Sequence, residues 1–259
     1  MRAMFDFPGK KVLVTGASRG IGFGVAEAFA MAGADLAILA EDGFVHDAAA
    51  RLTEKTGRLV TGLVCDITDR RAVAEALGAF DRIDVLVNNA GLERPTPLQA
   101  ADPAVDDTFA RVMAVNVTGT HNVTREAISK IPDGGRIVIT SSIWGKTAVP
   151  DFSAYVASKH ALIGMARTWA KELGPRAITV NAICPGWVKT EAAMRSLNSM
   201  AAKTGAEPDA LLAEIVAAQA IEGLMEPADV AGLYLFLASD AAANITGQAI
   251  NVDRGEVLA

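Results

Sequence analysis

Short runs of Val, Ile, Leu and Ala recur along the chain and alternate with longer stretches whose apolar residues return at helical spacing. The runs at 11–15, 35–39, 59–65, 83–87, 136–140, 179–183 and 248–252 predict strands. The helical pattern covers 21–31, 70–79, 108–129, 154–173 and 229–237. Strands that alternate with helices build a parallel sheet with helices on both faces, because each return to a parallel neighbour needs a crossover that lies over one face. An α/β, doubly wound, seven-stranded parallel sheet is therefore expected. No repeat, low-complexity tract or Pro/Gly-rich linker interrupts the pattern, so 1–259 is expected to form a single domain. One segment breaks the rhythm. Residues 189–226 are Ala-rich, with Gly205 and Pro208 in the middle, and span far more chain than a crossover needs. Long connections in compact domains are usually functional, and this one is expected to be a helical substrate lid.

Composition narrows the class of partner. Apolar residues make up 51% of the chain and charged residues 21%, enough for a sizeable core under a wet surface. The net charge of −6 argues against nucleic acid or an anionic membrane as partner. No apolar run approaches the ~18 residues of a spanning helix. The first ten residues contain no apolar stretch long enough for a signal peptide. Cys65 and Cys184 each sit inside a strand-like apolar run and read as small core residues, and His46, His121 and His160 show no metal-ligand spacing. A soluble, cytoplasmic protein with reduced thiols, no metal and a small-molecule substrate is expected.

Two local patterns carry chemistry. Gly16, Gly20 and Gly22 follow the first strand and open the first helix. There a backbone without side chains can approach a pyrophosphate, and a helix N-terminus offers unpaired N–H groups. The second pattern is Tyr155 and Lys159, one helical turn apart on the same face. A phenol has an unperturbed pKa of about 10, and a nearby ammonium favours the phenolate and lowers that value. Such a pair is a candidate general acid/base.

With these motifs in place the chain resembles the short-chain dehydrogenase/reductase family over almost its whole length. Gly16, Ser18, Arg19, Gly20, Ile21 and Gly22 match that family's cofactor turn, and Asp66, with Ile67 beside it, matches its adenine-contacting aspartate. Asn88, Asn89, Ala90 and Gly91 match the motif that closes the fourth strand. Asn116, Ser142, Tyr155 and Lys159 match the catalytic tetrad, and Pro185, Gly186, Val188 and Thr190 match the segment that holds the nicotinamide carboxamide. The resemblance implies a Rossmann-type fold and hydride transfer between a nicotinamide and a carbonyl or secondary alcohol. It assigns proton transfer to Tyr155, substrate-oxygen binding to Ser142, ribose binding and pKa control to Lys159, and a water leading from Lys159 to solvent to Asn116. It also implies a homotetramer, or a homodimer, since Arg254 stands near the C-terminal contact where the family usually has glycine.

Charge at the end of the second strand bears on the cofactor. A carboxylate at Glu41 can bond ribose hydroxyls and repels the extra phosphate of NADP, whereas Arg19 favours NADP unless it pairs with Glu41. NAD is expected over NADP. The substrate pocket is expected to involve Glu93, Arg94, Ser142, Trp144, Phe152 and Trp187, with Met194, Leu197 and Met200 as apolar lid residues that more naturally only pack. Flat apolar walls beside charged groups suit a small polar molecule such as a sugar, polyol or hydroxy acid. A carboxylate would need Arg94 or a lid residue. The alternatives are a 3-oxoacyl-thioester (acyl-carrier-protein) reductase using NADPH, which wants a basic rim from Arg125, Lys130, Lys189 and Lys203, and a non-catalytic nucleotide-binding relative.

Overall fold

The computed structural model describes residues 5–258; residues 1–4 and 259, part of the expected 1–259 domain, lie outside the described residues. Seven parallel strands form one sheet: β1 (Lys11–Thr15), β2 (Asp35–Ala40), β3 (Val60–Val64), β4 (Val85–Asn88), β5 (Arg136–Thr140), β6 (Thr179–Pro185) and β7 (Ala249–Val252). Their order is β3-β2-β1-β4-β5-β6-β7. Neighbours in a strand point to opposite faces, and the sequence obeys that period. Val12 and Val14 enter one apolar core and Leu13 the other, as do Val85 and Val87 against Leu86. Helices α1 (Gly20–Met31), α2 (Phe44–Thr56) and α9 (Pro227–Ala238) supply Val25, Val45, Leu52, Val230 and Tyr234 to the first core. Helices α3 (Arg70–Gly78), α5 (Thr120–Ala127) and α6 (Ser153–Leu173) supply Val73, Leu77, Val123 and Leu162 to the second. The fold is the expected α/β doubly wound, Rossmann-type sheet.

Three features differ from the pattern read along the chain. Helix α2 has no counterpart among the expected helices; its buried face is Val45, Ala48, Ala49 and Leu52, where two alanines dilute the apolar signal. The expected helix at 108–129 begins earlier, as α4 (Ala104–Met113), and reaches α5 only through a π-helical turn over Ala114–Gly119. Such turns are rare and cluster at functional sites. The segment at 189–226 contains α7 (Glu191–Thr204) and α8 (Pro208–Ala217). Gly205 ends α7 with φ 71°, and Pro208 occupies the first turn of α8, so the apparent break is the corner between two helices. The excursion leaves and returns at one place, where Val188 bridges Met225 and the Lys189 N–H donates to the Met225 carbonyl at 2.7 Å. Among the described residues no helix is long and apolar enough to cross a membrane.

Candidate active site

The strand order reverses between β1 and β4, and open α/β sheets carry their crevice at such a point, beyond the carboxyl ends of the strands. A cavity of about 1140 Å³ lies there, walled by the glycine turn, the ends of β2 to β6 and the first turns of α7. Pockets for one drug-sized ligand run to roughly 300–1,000 Å³, so this space suits a dinucleotide and a small substrate together.

The glycine turn fits a dinucleotide. Gly16 has φ 64°, and a Cβ there would stand 2.5 Å from the Ala90 Cα. At Gly22 a Cβ would meet the Gly16 carbonyl oxygen at 2.3 Å and the Asn89 Nδ2 at 2.4 Å. Asn89 holds this corner, donating from Nδ2 to the Thr15 and Gly16 carbonyls at 3.1 Å each. The Thr15 hydroxyl accepts from the Asn89 and Ala90 N–H groups, stapling the end of β1 to that of β4. No side chain caps the first turn of α1, so its N–H groups face the cavity mouth without that competitor. Ser18, Arg19, Gly20, Ile21, Ala90, Gly91 and Ile67 all line the cavity. Gly22 does not; it packs behind the turn.

The end of the cavity beside β2 and β3 is ordered by a residue that sequence reasoning did not select. Arg111, on α4, reaches Asp66 at 3.1 Å, Glu41 at 3.3 Å and the Thr68 hydroxyl at 3.0 Å. Asp66 also accepts from the Thr68 N–H and hydroxyl. Burial pushes its carboxyl up, but these hydrogen bonds and Arg111 outweigh burial and hold it below the usual carboxylate range. The contemplated Arg19–Glu41 pair does not form. Arg19 reaches Asp42 at 3.0 Å, and Glu41 pairs with Arg111 at 3.3 Å.

At the other end stand the four residues of the expected tetrad. Ser142 follows β5, and its hydroxyl caps a short turn, accepting from the Trp144 N–H at 3.1 Å; it lines the cavity together with Tyr155. Lys159 is buried, donates from Nζ to the Thr140 carbonyl at 2.8 Å, and lies 5.3 Å from the Tyr155 ring centroid. The expected lowering of the Tyr155 pKa is reversed in direction. Burial pushes the phenol up first, the Glu93 carboxylate adds to this, and the Ser142 hydroxyl offsets only part. Lys159 is pushed down to about 8 by burial, against the pull of Glu93.

Asn116 is fully buried in the π turn and does not line the cavity. Its Oδ1 accepts from the Leu92 N–H at 2.7 Å, and its Nδ2 donates to the Leu92 carbonyl at 3.0 Å and the Ser158 hydroxyl at 2.9 Å. Ser158 in turn donates to the Tyr155 carbonyl at 2.7 Å. The side chain thus clamps the loop after β4 to the second turn of α6. Both Nδ2 hydrogens are taken, so only Oδ1 keeps acceptor capacity for the expected water. Ser158 was not selected in the sequence because a buried serine in a helix carries no signal of its own.

At the nicotinamide end, Pro185 closes β6, Gly186 is held from behind by the Val252 carbonyl at 3.0 Å, and Val188 is buried at the wall. Thr190 lines the cavity but also caps α7, its hydroxyl accepting from the Ala193 N–H at 3.1 Å. Glu93, Arg94, Trp144 and Trp187 line the substrate side, with Trp187 edge-on to Trp144 at 6.1 Å between centroids. Phe152 does not line it. It is 1% exposed and sits behind Trp144 at 5.4 Å, a buttress and not a wall. Met194, Leu197 and Met200 are likewise absent from the lining. Glu93 is pushed up by burial, an effect that the Ser196 hydroxyl of α7 partly offsets. Arg195, unselected in the sequence, faces the cavity beside them.

The family model described as enoyl-(acyl carrier protein) reductase matches residues 16–256. The oxidoreductase UcpA of Escherichia coli strain K12 is 36% identical over 98% of this chain and 97% of its own. The D-beta-hydroxybutyrate dehydrogenase of Cupriavidus necator is 33% identical over 96% of this chain and 98% of its own. The solved L-sorbose reductase of Gluconobacter frateurii, complexed with NADPH and L-sorbose, superposes with a TM-score of 0.88 at 27% identity, covering 100% of both chains. Motifs, sheet order and these likenesses agree along nearly the full length, and the chain belongs to the short-chain dehydrogenase/reductase family of oxidoreductases.

Proposed function

We propose that the protein interconverts a secondary alcohol and a ketone by hydride transfer, as a single domain (1–259) in which 189–226 is the substrate lid. The observation that carries this is the gathering of Tyr155, Ser142 and Lys159 at the wall of the same cavity that the glycine turn opens. A bound nicotinamide would supply the hydride acceptor or donor. The chain's part is to place the substrate oxygen and move one proton. Tyr155 gives that proton to the forming alkoxide or takes it from the alcohol, and Ser142 donates to the same oxygen. A phenol held protonated by burial has a proton to give but gives it reluctantly, so both directions call on the charge of Lys159, which is present in neutral solution. Lys159 also has hydrogens left for the nicotinamide ribose, Asn89, Ala90 and Gly91 frame the cofactor's path, and Pro185, Gly186, Val188 and Thr190 receive its carboxamide.

NAD is the cofactor proposed. Glu41 and Asp42 close the ribose end with carboxylates, and Arg19 and Arg111 are already engaged by them. The NADPH of the sorbose reductase complex weighs the other way. A lower KM for NADP than for NAD would overturn the preference. The substrate proposed is a small polar molecule held between Trp144, Trp187, Glu93 and Arg94. Of the four residues that the acyl-thioester alternative wants as a basic rim, Arg125, Lys130 and Lys203 do not line the cavity, and Lys189, which does, pairs with Glu226. A cytoplasmic homotetramer or homodimer completes the proposal. The test is nucleotide absorbance during incubation with alcohols, polyols and hydroxy acids, each with NAD and with NADP. Turnover of acetoacetyl thioester with NADPH alone would favour the alternative.

A further inference from the structure

The cationic side chains that line the cavity fall into two groups. Arg19, Lys55, Arg111 and Lys189 each pair with a carboxylate, and Lys159 is held by the Thr140 carbonyl. Arg94 and Arg195 make no ion pair among the described residues; Arg94 donates only to the Glu93 carbonyl, at 2.8 Å. They reach the cavity from different elements, the loop after β4 and the second turn of α7. They are near enough to repel, for Arg94 is pushed below its ordinary value first by burial and then by the charge of Arg195.

What holds them together is the contact between those elements. Ser196, adjacent to Arg195 and 3% exposed, stands near enough to the Glu93 carboxyl, adjacent to Arg94, for its hydroxyl to favour the charged form. Glu93 offsets part of the positive charge, but burial pushes its carboxyl toward the neutral form. Glu191, exposed at the first turn of α7, is the other unpaired carboxylate of this rim. Two guanidinium groups that face one cavity without ion partners are stabilised when an anion enters between them, and the planar fork matches a carboxylate in particular.

We propose that Arg94 and Arg195 form an anion subsite that receives the carboxylate of the substrate, which makes the substrate class a hydroxycarboxylate or its oxo acid and not a neutral polyol. This rests on the hydride-transfer function proposed above. The carbon chain lies against Trp144 and Trp187, and the reacting oxygen meets Tyr155 and Ser142. The lid residue Arg195 thereby completes the substrate site.

The experiment compares lactate with propane-1,2-diol, 3-hydroxybutyrate with butane-1,3-diol, and gluconate with glucitol. Each is assayed by nucleotide reduction and, with oxidised nucleotide present, by calorimetric binding. At least one acid is expected to exceed its neutral counterpart in kcat/KM by roughly 100-fold, the effect of two charge-assisted contacts. Arg195→Ala and Arg94→Ala should each lower that acid-to-alcohol ratio roughly 10-fold, chiefly through KM, and Arg195→Lys should recover part of it. Alcohols turned over ahead of every acid, or a ratio unmoved in both variants, would overturn the anion subsite and leave the hydride-transfer function standing. Saturable acid binding that is lost in both variants, with no turnover of any compound, would support the subsite and overturn the proposed reaction. No acid binding at all overturns the subsite.

Discussion

Replacing Asn116 by alanine separates two jobs that a buried polar residue beside an active site can do. The side chain makes three hydrogen bonds, to the Leu92 N–H, the Leu92 carbonyl and the Ser158 hydroxyl, all at 3.0 Å or less. Truncation leaves each partner without this bond. Ser158 is fully buried and keeps only the bond it donates to the Tyr155 carbonyl, while Leu92 is half-buried and partly rescued by water. At about 1–3 kcal/mol for a buried group left unpaired, less for those water can reach, the expected loss is about 2–4 kcal/mol. For a chain of this size that lowers Tm by roughly 5–15 °C. The loop carrying Glu93 and Arg94 also loses its anchor, so KM should rise along with any fall in kcat. Asn116→Asp keeps acceptance from the Leu92 N–H but forfeits both donors, and should fall between alanine and wild type. Thermal unfolding followed by circular dichroism, together with steady-state kinetics, checks both. A variant that melts within about 2 °C of wild type yet has lost kcat at unchanged KM would refute the clamp and leave only a proton-path role.

Further predictions concern charge and strain. Lys159 stands at about 8 in the folded chain against an ordinary 10.5. Between those pH values the unfolded chain binds more protons, so the stability this site contributes should rise with pH across that window. The urea-unfolding difference between wild type and Lys159→Met should therefore grow from about pH 8 to 10.5; a difference that is flat or shrinks contradicts the burial argument. Arg254 adopts φ 55°, a left-handed conformation that favours glycine, and its Nε is buried without a partner. Arg254→Gly should raise stability by about 1 kcal/mol, less what its long 3.3 Å bond to the Glu222 carbonyl contributes. A melt that falls instead would mean the guanidinium's packing on Gly223 outweighs the backbone strain.

The sheet was legible because its central strands are apolar runs buried on both faces, where Val12 and Leu13 alike must be hydrophobic. The glycine turn and the Tyr155–Lys159 pair were legible because backbone approach and helical spacing are properties of the chain itself. Helix α2 was not, since two of its four buried positions are alanines, which mark a core face weakly. The π turn at Asn116 was not, because nothing in Ala-Val-Asn-Val-Thr-Gly distinguishes it from an α-helix. Charge partners were the least legible. Arg111 meets Glu41 across 70 positions, and Arg94 and Arg195 share one cavity although they are far apart along the chain. For the same reason the local rule that Lys159 lowers the Tyr155 pKa lost to burial and to Glu93, neither of which the spacing contains.

The central claim is that Tyr155 moves the proton that accompanies hydride transfer. The most direct measurement is single-turnover nucleotide absorbance with Tyr155→Phe beside wild type, using the best substrate of the panel, with nucleotide Kd determined for both by fluorescence titration. The account predicts a loss of roughly 10²–10⁴-fold in the rate of the chemical step, with nucleotide Kd changed less than about threefold. Equal single-turnover rates in the two proteins would contradict it.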